Sequence, residues 1–233
     1  TLFSFFTFFI IQKYSHLLFK DFLLDNDFEK PQAFHSYHTP RSGGLASIIS
    51  FVIFILLFDL FFSILYLEHL LFSISIFLVG FIEDMSVKLS PKLRLLIMTI
   101  FLFILIKLFS INILWIELIF LKNILLIELW SILFVLLCFL FIINGSNLID
   151  GFNGLLTIQL IIINSLLFSI NMYNEIEFYS IFITGQIIIL LIFLLFNFPK
   201  AKMFMGDGGA YFFGCITALN VIFTNNLNPA VST

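Results

Sequence analysis

Charged residues are scarce in this sequence. Only 11% of its 233 residues are Asp, Glu, Lys or Arg, whereas 61% are hydrophobic. A soluble domain has about 25% charged residues, and these residues lie mostly at its surface. Together with a mean hydropathy of +1.16, this composition excludes an ordinary soluble globular protein.

Cysteine and clustered positive charge are also scarce. The two cysteines, Cys138 and Cys215, lie inside apolar stretches and lack the spacing of a metal site or a disulfide framework. We expect both to be small hydrophobic residues in the protein interior. The sequence has no basic patch, so nucleic acid is not expected as a partner.

Long apolar runs recur along the whole chain, and a helix that crosses a bilayer needs about 20 mostly apolar residues. The runs predict an all-α fold, a polytopic transmembrane helical bundle in which residues 1–233 form a single integral-membrane domain. Eight spans are predicted, at about 1–19, 44–66, 68–82, 93–110, 126–143, 154–170, 178–198 and 208–224. Glu117 and Lys122 interrupt the apolar segment 111–125, which favours an interfacial or re-entrant piece over a ninth span.

Four polar segments separate the apolar runs. They are polar segment 1, KPQAFHSYHTPRSGG (30–44), polar segment 2, EDMSVKLSPKLR (83–94), polar segment 3, NGSNLIDGFNG (144–154), and polar segment 4, PKAKMFMGDGG (199–209). Two predicted spans lie between each segment and the next. All four are therefore expected at the same face of the membrane.

The distribution of Lys and Arg predicts which face this is. Nine of the eleven basic residues lie on the side of the polar segments, and two, Lys107 and Lys122, lie on the other side. Basic residues are enriched in cytoplasmic loops. The sequence thus predicts a multi-pass protein of the inner (plasma) membrane, with the polar segments in the cytoplasm and the N-terminus outside.

The polar segments contain the groups that a phosphorylated substrate needs. Their carboxylates are costly beside apolar spans unless they are paired, hydrated or bound to a metal, and carboxylate oxygens suit Mg²⁺. Glycines and helix N-termini allow a phosphate to approach the backbone, and cationic side chains pair with phosphate. The acidic candidates are Glu83, Asp84, Asp150 and Asp207. The substrate-binding candidates are Asn147, Asn153, Gly151, Arg41, Lys88, Arg94, Gly206 and Gly208.

Other interpretations of these segments remain open. Loops between spans are polar in any case, and Gly and Pro punctuate them. A membrane transporter would place polar or broken helices at the bilayer midplane, whereas these spans are nearly all apolar. Two of the polar residues that fall within spans have a specific expectation. His69 is predicted at the interface on the side away from the polar segments, and Gln186 is predicted to bond to another helix.

The four polar segments resemble motifs of the polyprenyl-phosphate N-acetylhexosamine-1-phosphate transferases, the superfamily that includes phospho-N-acetylmuramoyl-pentapeptide transferase. FMGDGGAYFFG (204–214) resembles the motif F-M-G-D-x-G-S-x-x-x-G, and NLIDGFNGL (147–155) resembles N-x-x-D-G-x-(D/N)-G-L. GFIEDMSVKLSPKLRLL (80–96) resembles an aspartate-rich loop followed by S-P-K-x-R-L. FHSYHTPRSGGLA (34–46) resembles P-x-P-R-x-G-G-(L/I)-A. The motifs occur in the order that the family has.

The resemblance implies transfer of a sugar-1-phosphate of the N-acetylhexosamine type from a UDP-sugar to a polyprenyl phosphate such as undecaprenyl phosphate. UMP is released and a lipid-linked cell-envelope glycan is started. Mg²⁺ is implied as the cofactor, with Mn²⁺ as the alternative, and a homodimer is a family expectation. By their places in the motifs, Asp207 is the leading metal ligand, and Asp84 orients or deprotonates the lipid phosphate. Asp150 binds the nucleotide-sugar or the waters of the metal, together with Asn147.

Three residues depart from the family pattern. Glu83 stands where many relatives have an Asp, which puts its catalytic role in doubt. Asn153 replaces a second Asp, and Ala210 replaces the usual Ser. The stretch HTPRSGG resembles the initiators of O-antigen, teichoic-acid and enterobacterial-antigen synthesis more than the peptidoglycan enzyme. Relatives have further spans and a His-rich loop, so the chain is expected to lack the last spans, and an inactive fragment or a lipid-binding remnant is the alternative.

Overall fold

The computed structural model describes residues 1–19, 23–25, 39–85, 87 and 89–229. Their helices are α1 (Leu2–Phe19), α2 (Gly43–Phe62), α3 (Leu67–Asp84), α4 (Pro91–Leu108), α5 (Ile119–Leu125), α6 (Glu128–Ile149), α7 (Leu155–Tyr173), α8 (Glu177–Asn197) and α9 (Gly206–Leu227). Two short strands, β1 (Leu24–Asp25) and β2 (Thr39–Pro40), pair antiparallel, with Leu24 opposite Pro40. The predicted all-α helical bundle is confirmed.

Every predicted span coincides with a long helix. Five helices, α2 and α6 to α9, are long and apolar enough to cross a membrane. The other three, α1, α3 and α4, have 18 residues each, and charged residues lie near the ends of α3 and α4. A multi-pass membrane protein is therefore supported, while the number of eight spans stays a prediction.

The segment 111–125 does not form a ninth span. Residues 111–118 have no regular secondary structure, and α5 has only seven residues, too few to cross a bilayer. The C-terminal end of α9 holds this segment. Asn226 Oδ1 accepts a hydrogen bond from the Leu114 N–H at 2.8 Å, and Asn225 Nδ2 donates one to the Trp115 carbonyl at 3.1 Å.

Helix α9 is the centre of the bundle. In the 18-residue apolar stretch of α9, 72% of the residues are buried inside the protein, against 33–56% in the corresponding stretches of the other four candidate spans. Helix α9 packs against α2, α3, α6 and α7. Glycines allow the closest of these approaches. A Cβ added to Gly44 of α2 would lie 2.6 Å from Gly209 Cα, and one added to Gly80 of α3 would lie 2.5 Å from Gly208 N. Without side chains at these crossings the helix backbones come into contact, as in many membrane helix pairs.

Parts of polar segments 3 and 4 are helical, which corrects the predicted span ends. Helix α6 continues to Ile149, six residues past the predicted end at 143, and α9 begins at Gly206. Within α6, Asn144 Nδ2 donates to the Leu140 carbonyl at 2.7 Å, so a polar side chain is satisfied inside the helix. The prediction from apolar residues placed the helix end too early, because a polar side chain that bonds to a carbonyl of its own helix can continue the helix.

The described parts of the four polar segments meet at one end of the bundle, as the span count predicted. Backbone bonds connect segments 1 and 4. Phe204 N–H donates to the Pro40 carbonyl at 2.8 Å, and Gly43 N–H donates to the Phe204 carbonyl at 2.9 Å. The side of the membrane on which this end lies stays a prediction. Cys215 is buried and Cys138 is half-buried, and both are free thiols.

Candidate active site

Asp84, the last residue of α3, holds the first turn of α9. Its Oδ1 accepts the backbone N–H of Asp207 and its Oδ2 accepts that of Gly208, both at 2.8 Å. The side chain is buried, with 4% of its surface exposed. A carboxylate from one helix therefore caps the N-terminus of another, where the partial positive charge of the helix dipole favours it.

Asn147 comes to the same turn from α6. Its Nδ2 donates to Asp207 Oδ1 at 2.6 Å. Among the described residues, Asp207 Oδ2 accepts no hydrogen bond, and the Asp207 side chain is only half-buried. The geometry thus orients one oxygen of Asp207 and leaves the other available to a ligand.

Asp150 caps the C-terminal end of α6 and faces the same group of charges. Burial raises the pKa of Asp150 to about 8, with the negative charges of Asp207 and Asp84 acting in the same direction and Arg41 opposing them. The pKa of Asp84, which lies beyond the predicted span 68–82, is also raised to about 8, chiefly by burial and then by Asp207. The negative charges of these carboxylates thus act on one another, and a cation bound near them would offset their repulsion.

Glu83 and Arg94 pair with each other rather than standing apart. Arg94 Nη1 lies 2.9 Å from Glu83 Oε2 and 3.2 Å from Oε1, and both side chains are largely buried. The guanidinium also lies over the ring of Tyr211, with its Cζ 5.6 Å from the ring centre. This contact links α3, α4 and α9 and gives both charged residues a structural role. The catalytic role of Glu83 and the substrate-binding role of Arg94 stay predictions.

The glycines of polar segment 4 serve packing in this structure. Gly206 has a φ of +74°, and a Cβ there would lie 2.7 Å from both carboxylate oxygens of Asp84. A Cβ at Gly208 would lie 3.1 Å from the ring of Phe77. Gly151, in contrast, is exposed and has open space where a Cβ would stand. Phosphate binding by these three glycines stays a prediction.

Protein groups already occupy several of the helix N-termini that were expected to bind anions. Asp84 takes the N–H groups at α9, and the carbonyls of Phe204 and Met205 take those of Gly43 and Gly44 at α2. Ser90 Oγ accepts the Leu93 N–H at the start of α4, at 3.3 Å. Some of the N–H groups at these helix starts are therefore used within the protein, and anion binding there stays a prediction.

The remaining predicted residues lie around this centre. Arg41 is half-buried and close enough for its charge to act on Asp84 and Asp150. Asn153 is exposed and donates from Nδ2 to the Pro199 carbonyl at 3.3 Å, which connects polar segments 3 and 4. Lys88 lies outside the described residues.

Sequence reasoning missed Asn197, the last residue of α8. Its Oδ1 accepts the Gly154 N–H at 2.6 Å and its Nδ2 donates to the Met203 carbonyl at 3.0 Å. One buried amide thus holds both the turn that leads into α7 and the turn that leads into α9. The signal was present in the sequence, as an amide at the end of an apolar run just before Pro199.

The residues present fit a magnesium ion that the substrate helps to bind. Among the described residues, no group of three His, Cys, Asp or Glu side chains is arranged to hold a metal by itself. Mg²⁺ usually takes one or two carboxylates and completes its coordination with waters and substrate phosphates. Asp207, with one oxygen oriented by Asn147 and the other without a described partner, offers such a carboxylate.

Known proteins share these sequence features. The phospho-N-acetylmuramoyl-pentapeptide-transferase of Streptococcus equi subsp. zooepidemicus is 36% identical over 95 residues, which cover 38% of this chain and 28% of that protein. The protein with the same name from Leuconostoc mesenteroides subsp. mesenteroides is 41% identical over 81 residues, or 34% of this chain and 25% of that protein. The matched parts thus span less than a third of the length of these relatives.

The family model for glycosyl transferase family 4 matches residues 66–225, from the start of α3 nearly to the end of α9. That match covers more than half of the chain and includes Asp84, Asn147 and Asp207. The chain therefore belongs to glycosyl transferase family 4 and to the polyprenyl-phosphate N-acetylhexosamine-1-phosphate transferase superfamily.

Proposed function

We propose that this protein transfers a sugar-1-phosphate from a UDP-sugar to a polyprenyl phosphate and releases UMP. One observation carries the proposal: Asp84, Asn147 and Asp207 come from three helices and meet at one end of an apolar bundle. Such a place is accessible to both substrates, because the lipid reaches it within the bilayer and the nucleotide-sugar reaches it from water. The family of the chain supports the same reaction class.

Asp207 is the residue we propose to hold Mg²⁺. Asn147 bonds to its Oδ1, and Oδ2 is the oxygen proposed to bind the ion. When bound, the ion would neutralise the pyrophosphate of the UDP-sugar and stabilise the leaving UMP. Mn²⁺, which shares the preference for oxygen ligands, is the alternative.

Asp84 has two tasks in this proposal. Its hydrogen bonds to the Asp207 and Gly208 N–H groups set the position of the metal ligand. Each carboxylate oxygen has a further lone pair, which allows Asp84 to orient or accept a proton from the attacking lipid phosphate as well. Asp150 and Asn153, in the turn after α6, are proposed to contact the nucleotide-sugar, and Arg41 to pair with a phosphate.

The sequence motifs suggest which donor, acceptor and product the reaction has. The proposed donor is a UDP-N-acetylhexosamine, the acceptor is undecaprenyl phosphate, and the product starts a cell-envelope glycan such as an O-antigen or teichoic acid. The site is proposed to face the cytoplasm, where UDP-sugars are found. A membrane transporter is disfavoured, because the family is a transferase family and α6 to α9 run as unbroken helices.

The test uses the protein purified into lipid nanodiscs with undecaprenyl phosphate. UMP release is measured with a panel of UDP-N-acetylhexosamines, with Mg²⁺ and after its removal with EDTA. We expect release that requires Mg²⁺ and is abolished by Asp207→Asn. Asp59→Asn is the matched control, because Asp59 lies near the opposite end of α2. Folded, inserted protein that releases no UMP from any donor would overturn the proposal in favour of an inactive or lipid-binding remnant.

A further inference from the structure

A network of polar side chains runs through the interior of the helical bundle, away from the candidate active site. Every member is 3% exposed or less. The members are His69 of α3, Asn164 of α7, Tyr179 and Gln186 of α8, and Asn220 of α9. A second hydrogen-bonded group, Asn171, Thr224 and Asn228, lies one helical turn further along α9. His69 lies near the start of α3, and its ring is fully buried among the helices, while its expected position at the level of the membrane interface stays a prediction. The predicted bond from Gln186 to another helix is confirmed.

Asn220 is the hub of this network. Its Nδ2 donates to Asn164 Oδ1 at 2.8 Å and to Gln186 Oε1 at 2.5 Å. Its Oδ1 accepts from Tyr179 Oη at 3.1 Å and lies 3.2 Å from His69 Nε2. A single amide thus joins α9 to α3, α7 and α8.

Such a hub is informative because apolar contacts between helices in lipid have little directional preference. Lipid tails are as apolar as Leu, so burial of apolar surface does not decide how far one helix slides or turns against another. Hydrogen bonds between amides have fixed lengths and directions. A displacement of α7 and α8 by one residue, about 1.5 Å along the helix axis, would break those that Asn220 makes.

The two helices that Asn220 holds form a hairpin, α7–α8, which carries site turns at its other end. Asn197, at the end of α8, bonds to Gly154 in turn 150–154 and to Met203 in turn 198–205. The first of these turns contains Asp150 and Asn153, and the second leads directly into Asp207. A shift of the hairpin against α9 therefore moves both turns relative to Asp207.

We propose that Asn220 is a positioning residue for the candidate active site. Its side-chain amide holds the α7–α8 hairpin against α9 and thereby sets where turns 150–154 and 198–205 lie relative to Asp207. The kinetic part of its test rests on the proposed function. A structural readout tests the same inference without any assumption about activity.

The variant that tests this inference is Asn220→Leu, and Asn174→Leu is its matched control. Asn174, at the end of α7, makes the same kind of amide bond, but to Ile170 of its own helix at 2.9 Å. Amide hydrogen exchange is measured by mass spectrometry in nanodiscs. For Asn220→Leu we expect exchange in residues 150–154 and 198–209 to be about tenfold to a hundredfold faster, because the variant loses the hydrogen bonds of Asn220 to four partners. Exchange in α4, which the network does not touch, is expected to stay unchanged.

The kinetic readout separates positioning from a loss of folded protein. In Asn220→Leu we expect kcat/KM for the UDP-sugar to fall about tenfold to a hundredfold, mostly through KM, because misplaced turns weaken substrate alignment. Loss of folded protein would instead lower the apparent kcat and leave KM unchanged. The double variant Asn220→Gln with Gln186→Asn keeps an amide pair between α8 and α9. We expect its KM to return most of the way to the wild-type value.

Three outcomes would overturn the inference. They are exchange and kinetics of Asn220→Leu that match Asn174→Leu, exchange that rises equally in α4, and a fall in kcat with KM unchanged. If Asn220→Leu does not fold, Asn164→Leu replaces it, because it removes one partner of the same amide. We expect it to raise hydrogen exchange in the same residues and KM in the same direction, by smaller factors. A wild-type protein that releases no UMP would contradict the proposed function, while the exchange measurement would still decide this inference.

Discussion

Asp84 caps the helix that presents Asp207: its two carboxylate oxygens accept the N–H groups of Asp207 and of Gly208, each at 2.8 Å. The first of two acids in the site thus determines the position of the second. A loss of activity on substitution of Asp84 would therefore have two sources, the chemistry of its carboxylate and the displacement of α9. The predictions below are designed to separate structural from chemical roles in this way.

Replacement of Asp84 with Ala is expected to lower the free energy of unfolding by about 1–2 kcal/mol, the usual cost of losing a helix N-cap. Asp84→Asn keeps one acceptor oxygen and is expected to cost less. The measurement is unfolding in detergent in the absence of substrate and metal. Asp59→Ala is the control, because the half-exposed Asp59 side chain makes no described cap. Equal stability of Asp84→Ala and wild type would show that the cap does not hold α9.

Replacement of Asn147 with Leu is expected to weaken Mg²⁺ binding about 10-fold to 100-fold, the usual effect of removing the partner that orients a metal ligand. The measurement is the Mg²⁺ concentration that gives half-maximal UMP release. Asn144→Leu is the matched control on the same helix, since among the described residues its amide bonds to the Leu140 carbonyl of its own helix. A normal Mg²⁺ dependence in Asn147→Leu would contradict the assignment of Asp207 as a ligand oriented by this amide.

Replacement of Gly80 with Ala is expected to destabilise the protein by about 1–3 kcal/mol or more, the range for overpacking, because the new Cβ meets the backbone of α9. The backbone of a central helix cannot move aside as a flexible side chain can. Gly145→Ala is the opposite case, since its Cβ would have nothing within 4 Å and Ala is the better helix former, by up to about 1 kcal/mol. Thermal unfolding of both variants checks the prediction. A shift of the unfolding midpoint in the same direction in both variants would contradict it.

The pair Glu83 and Arg94 is expected to behave as one unit. Because each partner satisfies the other, the double variant Glu83→Gln with Arg94→Gln is expected to lose no more activity and stability than the worse single variant. A double-mutant cycle on UMP release and on the unfolding midpoint measures this. Effects that add would instead indicate separate tasks, such as catalysis by Glu83 and substrate binding by Arg94.

The sequence by itself determined the class of this protein. Apolar runs near the length of a bilayer require helices, because a backbone in lipid must satisfy its own hydrogen bonds. The number of spans between the polar segments then required those segments to lie at one end, and the motif around Asp207 indicated the family. These conclusions depend only on length, composition and order along the chain.

Tertiary structure decided what each polar residue does. The sequence offered Gly206 and Gly208 only as candidates for phosphate binding, whereas the structure places them in a helix that crosses α3 at close range. Asn197 and Asn220 received no site role from the sequence, although the first holds two site turns and the second joins four helices. Hydrogen bonds between distant residues depend on how helices pack. The apolar pattern does not specify that packing, because lipid and helix interior are equally apolar and only the small and polar side chains distinguish one arrangement from another.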